Sequence, residues 1–313
     1  MVLSVRHTNN YSALGMRMMK KTLLALSLLG LTGSAVASPF YVDTGTNWDG
    51  GTTVTTDKAC DTCTSSKNEI TYAYQSVTTV TDTDANGIDA GDTVTTSGGL
   101  AVGAFGFNRV TGFNPGGGYL TNNDNGYGPT TPVTPGWQLS FSFTGLAGQI
   151  VQYTPNVSLE LAYGPVGNFD LYYSTDNGLT TVNFMDIKVT GAASGSGGTL
   201  LAGVVDFTNV DALPVSMYNM FNSDGATCNG ATGFYDIWLN CDGTGLPLME
   251  IGFLADFNTN ASQISITDNL DGTFTLTGNH DGSAVFNVPE PSTLALFGGT
   301  LLLLGAGARR RKA

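Results

Sequence analysis

Apolar and polar residues alternate with a period of two in short runs along most of this chain, and Gly, Asn, Asp and Pro punctuate them. That period places successive side chains on opposite faces of an extended strand. The clearest run is Glu69–Thr81 (EITYAYQSVTTVT), where Ile70, Tyr72 and Tyr74 share one face and Thr71, Ala73 and Gln75 the other. Trp137–Phe143 (WQLSFSF) alternates just as strictly. Weaker runs predict strands at Thr93–Phe107, Gln149–Tyr153, Val157–Tyr163, Asn168–Ser174, Thr181–Thr190 and Leu200–Phe207. Gly233–Asn240 and Leu246–Asp256 read as strands around Cys241, and Gln263–Thr267 with Thr273–Thr277 as a last hairpin. Asp176-Asn177-Gly178 and Asp268-Asn269-Leu270-Asp271-Gly272 supply turns. Gly191–Gly198 reads as a flexible connection, Thr111–Gly136 as a long loop, Leu213–Met220 as one short helical turn and Asn279–Asn287 as an exit segment. Many short strands between frequent turns predict an all-β body over residues 38–288, a β-sandwich, jelly-roll-like fold or related barrel.

Both ends break the alternation. Met19-Lys20-Lys21 is a basic start, Thr22–Gly33 an apolar core, and Ala35-Val36-Ala37 a small-x-small site. This order reads as a secretory signal cut between Ala37 and Ser38, with residues 1–37 as leader and signal peptide. Met16, Met18 and Met19 are alternative starts within it. At the other end, Pro289-Glu290-Pro291 precedes an uncharged run of 17 residues, Ser292 to Ala308. Arg309-Arg310-Arg311-Lys312 follows. As a helix the run would extend about 26 Å at roughly 1.5 Å per residue, near the short limit for a bilayer core of about 30 Å. The cations after it would stay cytoplasmic, leaving the body outside.

The three-part order of Pro289, Glu290 and Pro291, then the apolar run, then the Arg cluster, resembles the PEP-CTERM sorting signal of exported Gram-negative proteins. The resemblance covers residues 288–313. It implies that a membrane enzyme, exosortase, processes the chain near the Pro-Glu-Pro motif after the Sec machinery has exported it. A transient inner-membrane anchor through the C-terminal helix would hold the body in the periplasm, before release to the cell surface or extracellular matrix.

Charge narrows the partners. The body has four cations, Lys58, Lys67, Arg109 and Lys188, against 24 acidic residues, a net charge of −20. Such a surface repels nucleic acid. It stays soluble, and it could meet other polyanions through divalent cations. The four cysteines, Cys60, Cys63, Cys228 and Cys241, are an even count in an exported chain and read as disulfides. Local pairing, Cys60 to Cys63 and Cys228 to Cys241, is the simplest of three connectivities. A redox or zinc role for Cys60-Asp61-Thr62-Cys63 lacks the helix and the further ligands it would need.

One loop carries a metal pattern. Asp82, Asp84 and Asn86 alternate before Gly87, as in the first half of a calcium loop. Ile88 would offer its carbonyl, with Asp89 and Asp92 as later carboxylates. Thr93 stands where the bidentate glutamate of an EF-hand would be. An Asx-rich turn without metal satisfies the same residues. Catalysis has little support, and a non-enzyme is expected. The body's one histidine, His280, reads as an exposed turn residue, and no Gly-x-Ser-x-Gly elbow is present. An acidic pair for glycoside hydrolysis cannot be picked out among so many carboxylates. Trp137, Tyr172, Tyr173 and Trp238 are candidates for stacking on sugar faces, or for core positions.

The body also resembles the flocculation-associated PEP-CTERM proteins of floc-forming bacteria, in its Gly- and Thr-rich strands, its Asp-x-Asp-x-Asn-Gly-Ile-Asp-Ala-Gly-Asp-Thr stretch at 82–93, and Gly98-Gly99-Leu100. That implies a non-catalytic part in adhesion, flocculation or biofilm formation through extracellular polysaccharide. The other readings are a calcium- or glycan-binding surface module and a secreted hydrolase.

Overall fold

The computed structural model describes residues 38–48, 59–114, 125–129, 135–195, 198–225, 230–242, 251–258 and 263–288. The signal helix, the sorting tail and Cys228 fall outside them. Among the described residues no helix is long and apolar enough to cross a membrane.

The described body is mostly β, as the alternation predicts, with two short helices. Its strands are β1 (Phe40–Val42), β2 (Glu69–Thr81), β3 (Thr93–Gly99), β4 (Arg109–Asn114), β5 (Gln138–Thr154), β6 (Ser158–Tyr163) and β7 (Asn168–Ser174). After them come β8 (Val182–Gly195), β9 (Gly198–Asp206), β10 (Phe221–Ser223), β11 (Gly252–Asn258), β12 (Ser265–Asp268) and β13 (Thr273–Asn287). Two helices, α1 (Val215–Tyr218) and α2 (Phe234–Asp242), flank β10. Eleven strands form one antiparallel sheet, and β1 pairs β10 beside it. The path β2–β3–β5–β7–β8–β9–β11–β13 returns to β2, because β13 pairs β2 from Thr273↔Thr81 to Ala284↔Ile70. The strands therefore close a ring instead of forming the two separate sheets of a sandwich, and only full closure removes exposed edges.

Long strands make this possible. β5 pairs β7 along its first half and β6 along its second. β13 likewise pairs β12 and then β11 on one edge while its other edge holds β2. Gly145 in mid-β5 takes φ 67°, a left-handed value that suits glycine and lets the strand bend. Sequence alternation had split β5 into Trp137–Phe143 and Gln149–Tyr153, and β13 into a hairpin strand and an exit. Weak alternation across Gly145 and Gly278 hides each continuation. For the same reason most of the flexible link expected at Gly191–Gly198 is instead strand, with β8 running to Gly195 and pairing there with Gly198 of β9. Thr111 lies in β4 rather than in a loop.

The interior holds two apolar clusters. The larger is built on Trp137, Leu139, Phe141, Phe143, Phe184 and Phe286, and the smaller on Val80, Val94, Ile150, Leu161 and Leu276. Phe286 is fully buried and meets Phe40, Phe221, Phe234 and Phe253 at ring-centroid distances of 5.4, 5.5, 5.1 and 5.6 Å. It thus ties β13 to β1, β10, β11 and α2. The helix α2 corrects the strand predicted at Gly233–Asn240. Phe234 and Ile237 are buried three residues apart, and Trp238 follows on the same side, which is helical spacing. Asn219 Oδ1 accepts the Asp236 N–H at 3.1 Å, satisfying a first-turn donor from a distant segment. That partner is invisible to local pattern.

Phe286→Ala should lower stability by about 3–5 kcal/mol, the usual cost of truncating a buried phenylalanine. A denaturant midpoint close to that of the parent chain would overturn the central place given to β13.

Candidate functional site

Three places in the body bear on function. The first is where the sorting tail and the expected N-terminal signal join it. The Ser38 N–H donates to the Phe286 carbonyl at 2.9 Å. Ser38 Oγ donates to the Val288 carbonyl at 3.2 Å and accepts the Val288 N–H at 3.0 Å. The first residue after the expected signal cut is therefore bonded to the last residue before Pro289. Val288 is also 3 % exposed, held in the larger cluster.

The second is the Asp82–Asp92 loop between β2 and β3. One carboxylate oxygen from each of Asp82, Asp84 and Asp92 lies within 4.8 Å of the others, close enough to share a cation. Much of their capacity goes to the loop itself. Asp82 accepts the N–H groups of Ala85 at 2.7 Å and Gly87 at 2.8 Å. Bonding to Gly87 first, and to other backbone donors, holds its carboxyl below the usual range. Asp92 is fully buried and accepts from Thr83 and Asp89. Asp84 is raised, by desolvation and then by the Asp89 charge. Asn86 turns its amide nitrogen to Asp84 and Asp89, at 2.7 and 3.1 Å, so that its nitrogen rather than its oxygen faces them. The Ile88 side chain packs on the smaller cluster. Of the predicted ligands the fold thus gathers Asp82, Asp84 and Asp92, and attaches Asp89 through Asn86.

The third was not foreseen from sequence. Asp170, Asp186 and Asp206 stand directly opposite one another on β7, β8 and β9. Asp186 is 4 % exposed and accepts from Asn183 Nδ2 at 2.8 Å. Burial, then the charge of Asp170, pushes it up to about 6. Burial raises Asp170 as well. The two carboxyls share a proton at neutral pH far more readily than isolated aspartates do. Only cross-strand register brings these residues together, so nothing local marks them.

Other expectations resolve by position. Cys60 and Cys63 are bonded, with Cα atoms 5.0 Å apart. The Cys241 side chain lies outside the described residues. Trp137 is a core residue, fully buried, with Nε1 donating to the Asn125 carbonyl at 2.7 Å. Tyr173 is buried beside it, and Tyr172 faces outward near Ser142. Trp238 is half-buried against Phe207 and Tyr235. The four aromatics therefore make no single sugar platform. His280 is not an exposed turn residue: it lies within β13, half-buried, stacked on Tyr74 at 4.9 Å.

The body is a β-rich fold whose first and last described residues meet where Ser38 bonds Val288. Residues 287–312 match the family described as the PEP-CTERM protein-sorting motif, so the signal is the one exosortase processes. The match begins at the end of β13 and leaves the body unassigned. No curated protein and no solved structure matches the chain.

The Asp186 shift sets a pH dependence. Its folded value is above its unfolded value, so the stability it gives is full below the unfolded value near 4 and is lost as pH rises through about 6. Asp186→Asn should remove about 1–2 kcal/mol of that loss, after discounting for solvent screening. Melting curves at pH 4 and pH 7 check this: an unchanged difference between the two would refute the shared-proton pair.

Proposed function

We propose that the chain is a non-catalytic extracellular protein, cut at both ends and passed to the polysaccharide matrix, where it holds cells together. The observation that carries this is the joining of the sorting motif to the body beside Ser38, with Val288 buried in the fold. Both tethers leave from one point, so two cuts free the whole body. Its acidic surface keeps it soluble once free and suits bridging by divalent cations to acidic polymers.

A second reading, a calcium-bearing surface module, is favoured by the convergence of Asp82, Asp84 and Asp92. It is compatible with the first, since a cation held there would stiffen the β2–β3 loop.

Intact mass of the protein from the secreted matrix tests the processing. The expected species starts at Ser38 and ends between Val288 and Pro291. A native mass larger by one calcium ion, lost with chelator, would support the second reading, and an unchanged mass would remove it. Full-length tail retained in membranes would replace the matrix role with simple anchoring.

The adhesive role predicts that deleting the gene disperses cell aggregates while polysaccharide secretion continues. Aggregates that persist at full size would end that reading.

A further inference from the structure

Between the two apolar clusters the interior turns polar. On β2 the inward row runs Ile70, Tyr72, Tyr74, Ser76, Thr78, Val80, so hydroxyls replace aliphatic groups at its centre. Ser76 and Thr78, with Thr96, Tyr163 and His280, line a cavity of about 40 Å³. Its remaining walls are apolar, with the rings of Tyr74 and Phe143 among them. Exposed Thr277 and half-buried Gly278 and Leu159 lie at its rim. No Asp, Glu, Lys or Arg lines it among the described residues.

The polar groups are chained. Thr78 Oγ1 and Thr96 Oγ1 are 2.9 Å apart, and Thr96 Oγ1 and Tyr163 OH are also 2.9 Å apart. Ser76 Oγ lies 2.7 Å from His280 Nε2. Three hydroxyls joined by two bonds use two of their three hydrogens, so the Thr78–Thr96–Tyr163 chain keeps one donor and several lone pairs to offer. Tyr163 stays protonated at neutral pH, because burial pushes it up to about 12. At roughly 10–15 Å³ per water, the space holds about three waters. A guest would enter by one edge and leave the rest of itself outside.

We propose that this cavity binds an uncharged sugar, which inserts one edge of its ring so that its hydroxyls replace water on the Ser76–His280 and Thr78–Thr96–Tyr163 groups. Tyr74 and Phe143 meet its apolar C–H surface. An acidic sugar that puts its carboxylate on the inserted edge is disfavoured, because that group would be desolvated with no Lys or Arg among the described lining residues to pair it. The inference rests on the reading that the body meets extracellular polysaccharide, and it names the part of that polymer recognised: a neutral unit at a chain end.

The test is saturation-transfer NMR of the purified chain with methyl glycosides of glucose, galactose, mannose and N-acetylglucosamine, and with glucuronate as the charged control. At least one neutral glycoside should bind saturably, and glucuronate should be weaker by about tenfold or more. Thr96→Val keeps shape and removes the central hydroxyl; it should weaken binding about tenfold, as a buried partner left unsatisfied does. Leu161→Trp fills the cavity and should abolish binding; if it fails to fold, the isosteric Thr96→Val decides. No saturable signal from any of the four glycosides overturns the proposal, as does binding that Thr96→Val leaves unchanged. Retention of whole secreted polysaccharide is scored in parallel. A parent chain that retains polymer yet binds no glycoside loses the cavity and keeps the matrix reading, whereas one that retains neither loses both.

Discussion

The pairing of β13 with β2 is the constraint on which the rest depends. Without it the sheet has two long open edges, each a row of unpaired N–H and C=O groups. With it eight strands close, and the inward faces of β2, β5 and β13 can enclose Trp137, Phe143 and Phe286. The pairing joins residues 70–81 to 273–284, nearly the whole body apart in sequence. Closing so large a loop requires an ordering entropy that only the finished core repays, so folding is expected to be slow and to complete late. Phe286 concentrates that repayment, since it packs β1, β10, β11 and α2 against the closing strand at once.

Closure also explains why polar groups gather where they do. The smaller cluster at Val80, Val94 and Leu276 caps one end of the ring and the larger fills the other. The hydroxyl belt of Ser76, Thr78 and Thr96 lies between them. It survives burial because every member is bonded, Thr78 to Thr96, Thr96 also to Tyr163, and Ser76 to His280, which is the condition for polar groups inside a fold. The outer face follows a different rule. Register forces Asp170, Asp186 and Asp206 into one row, and burial there raises Asp170 and Asp186.

Features carried by local pattern were readable, and features carried by register were not. β2 and β7 occupy the residues that alternation assigns to them, and α1 falls within the helical turn expected at Leu213–Met220. The Cys60–Cys63 bond and the convergence of Asp82, Asp84 and Asp92 also follow from short spacing. By contrast, β5 and β13 run through glycines that break the alternation, and α2 depends on Asn219, a residue outside the helix. His280 looked like a turn residue between Asn279 and Asp281. Its true setting is defined by Tyr74 and Ser76 on β2, which no neighbour in sequence reveals.

The same closure bears on sorting. Residues 37 and 289 are one peptide from Ser38 and Val288, and consecutive Cα atoms lie about 3.8 Å apart. The leader and the tail therefore attach at a single corner of the body. Val288 is buried, and both its N–H and its carbonyl are bonded to Ser38 Oγ. A cut within β13 would sever the strand that closes the ring. A cut that leaves the ring whole would therefore fall after Asn287. The sorting motif begins at Asn287, the last residue of β13, so nearly all of it lies beyond the strand that closes the ring.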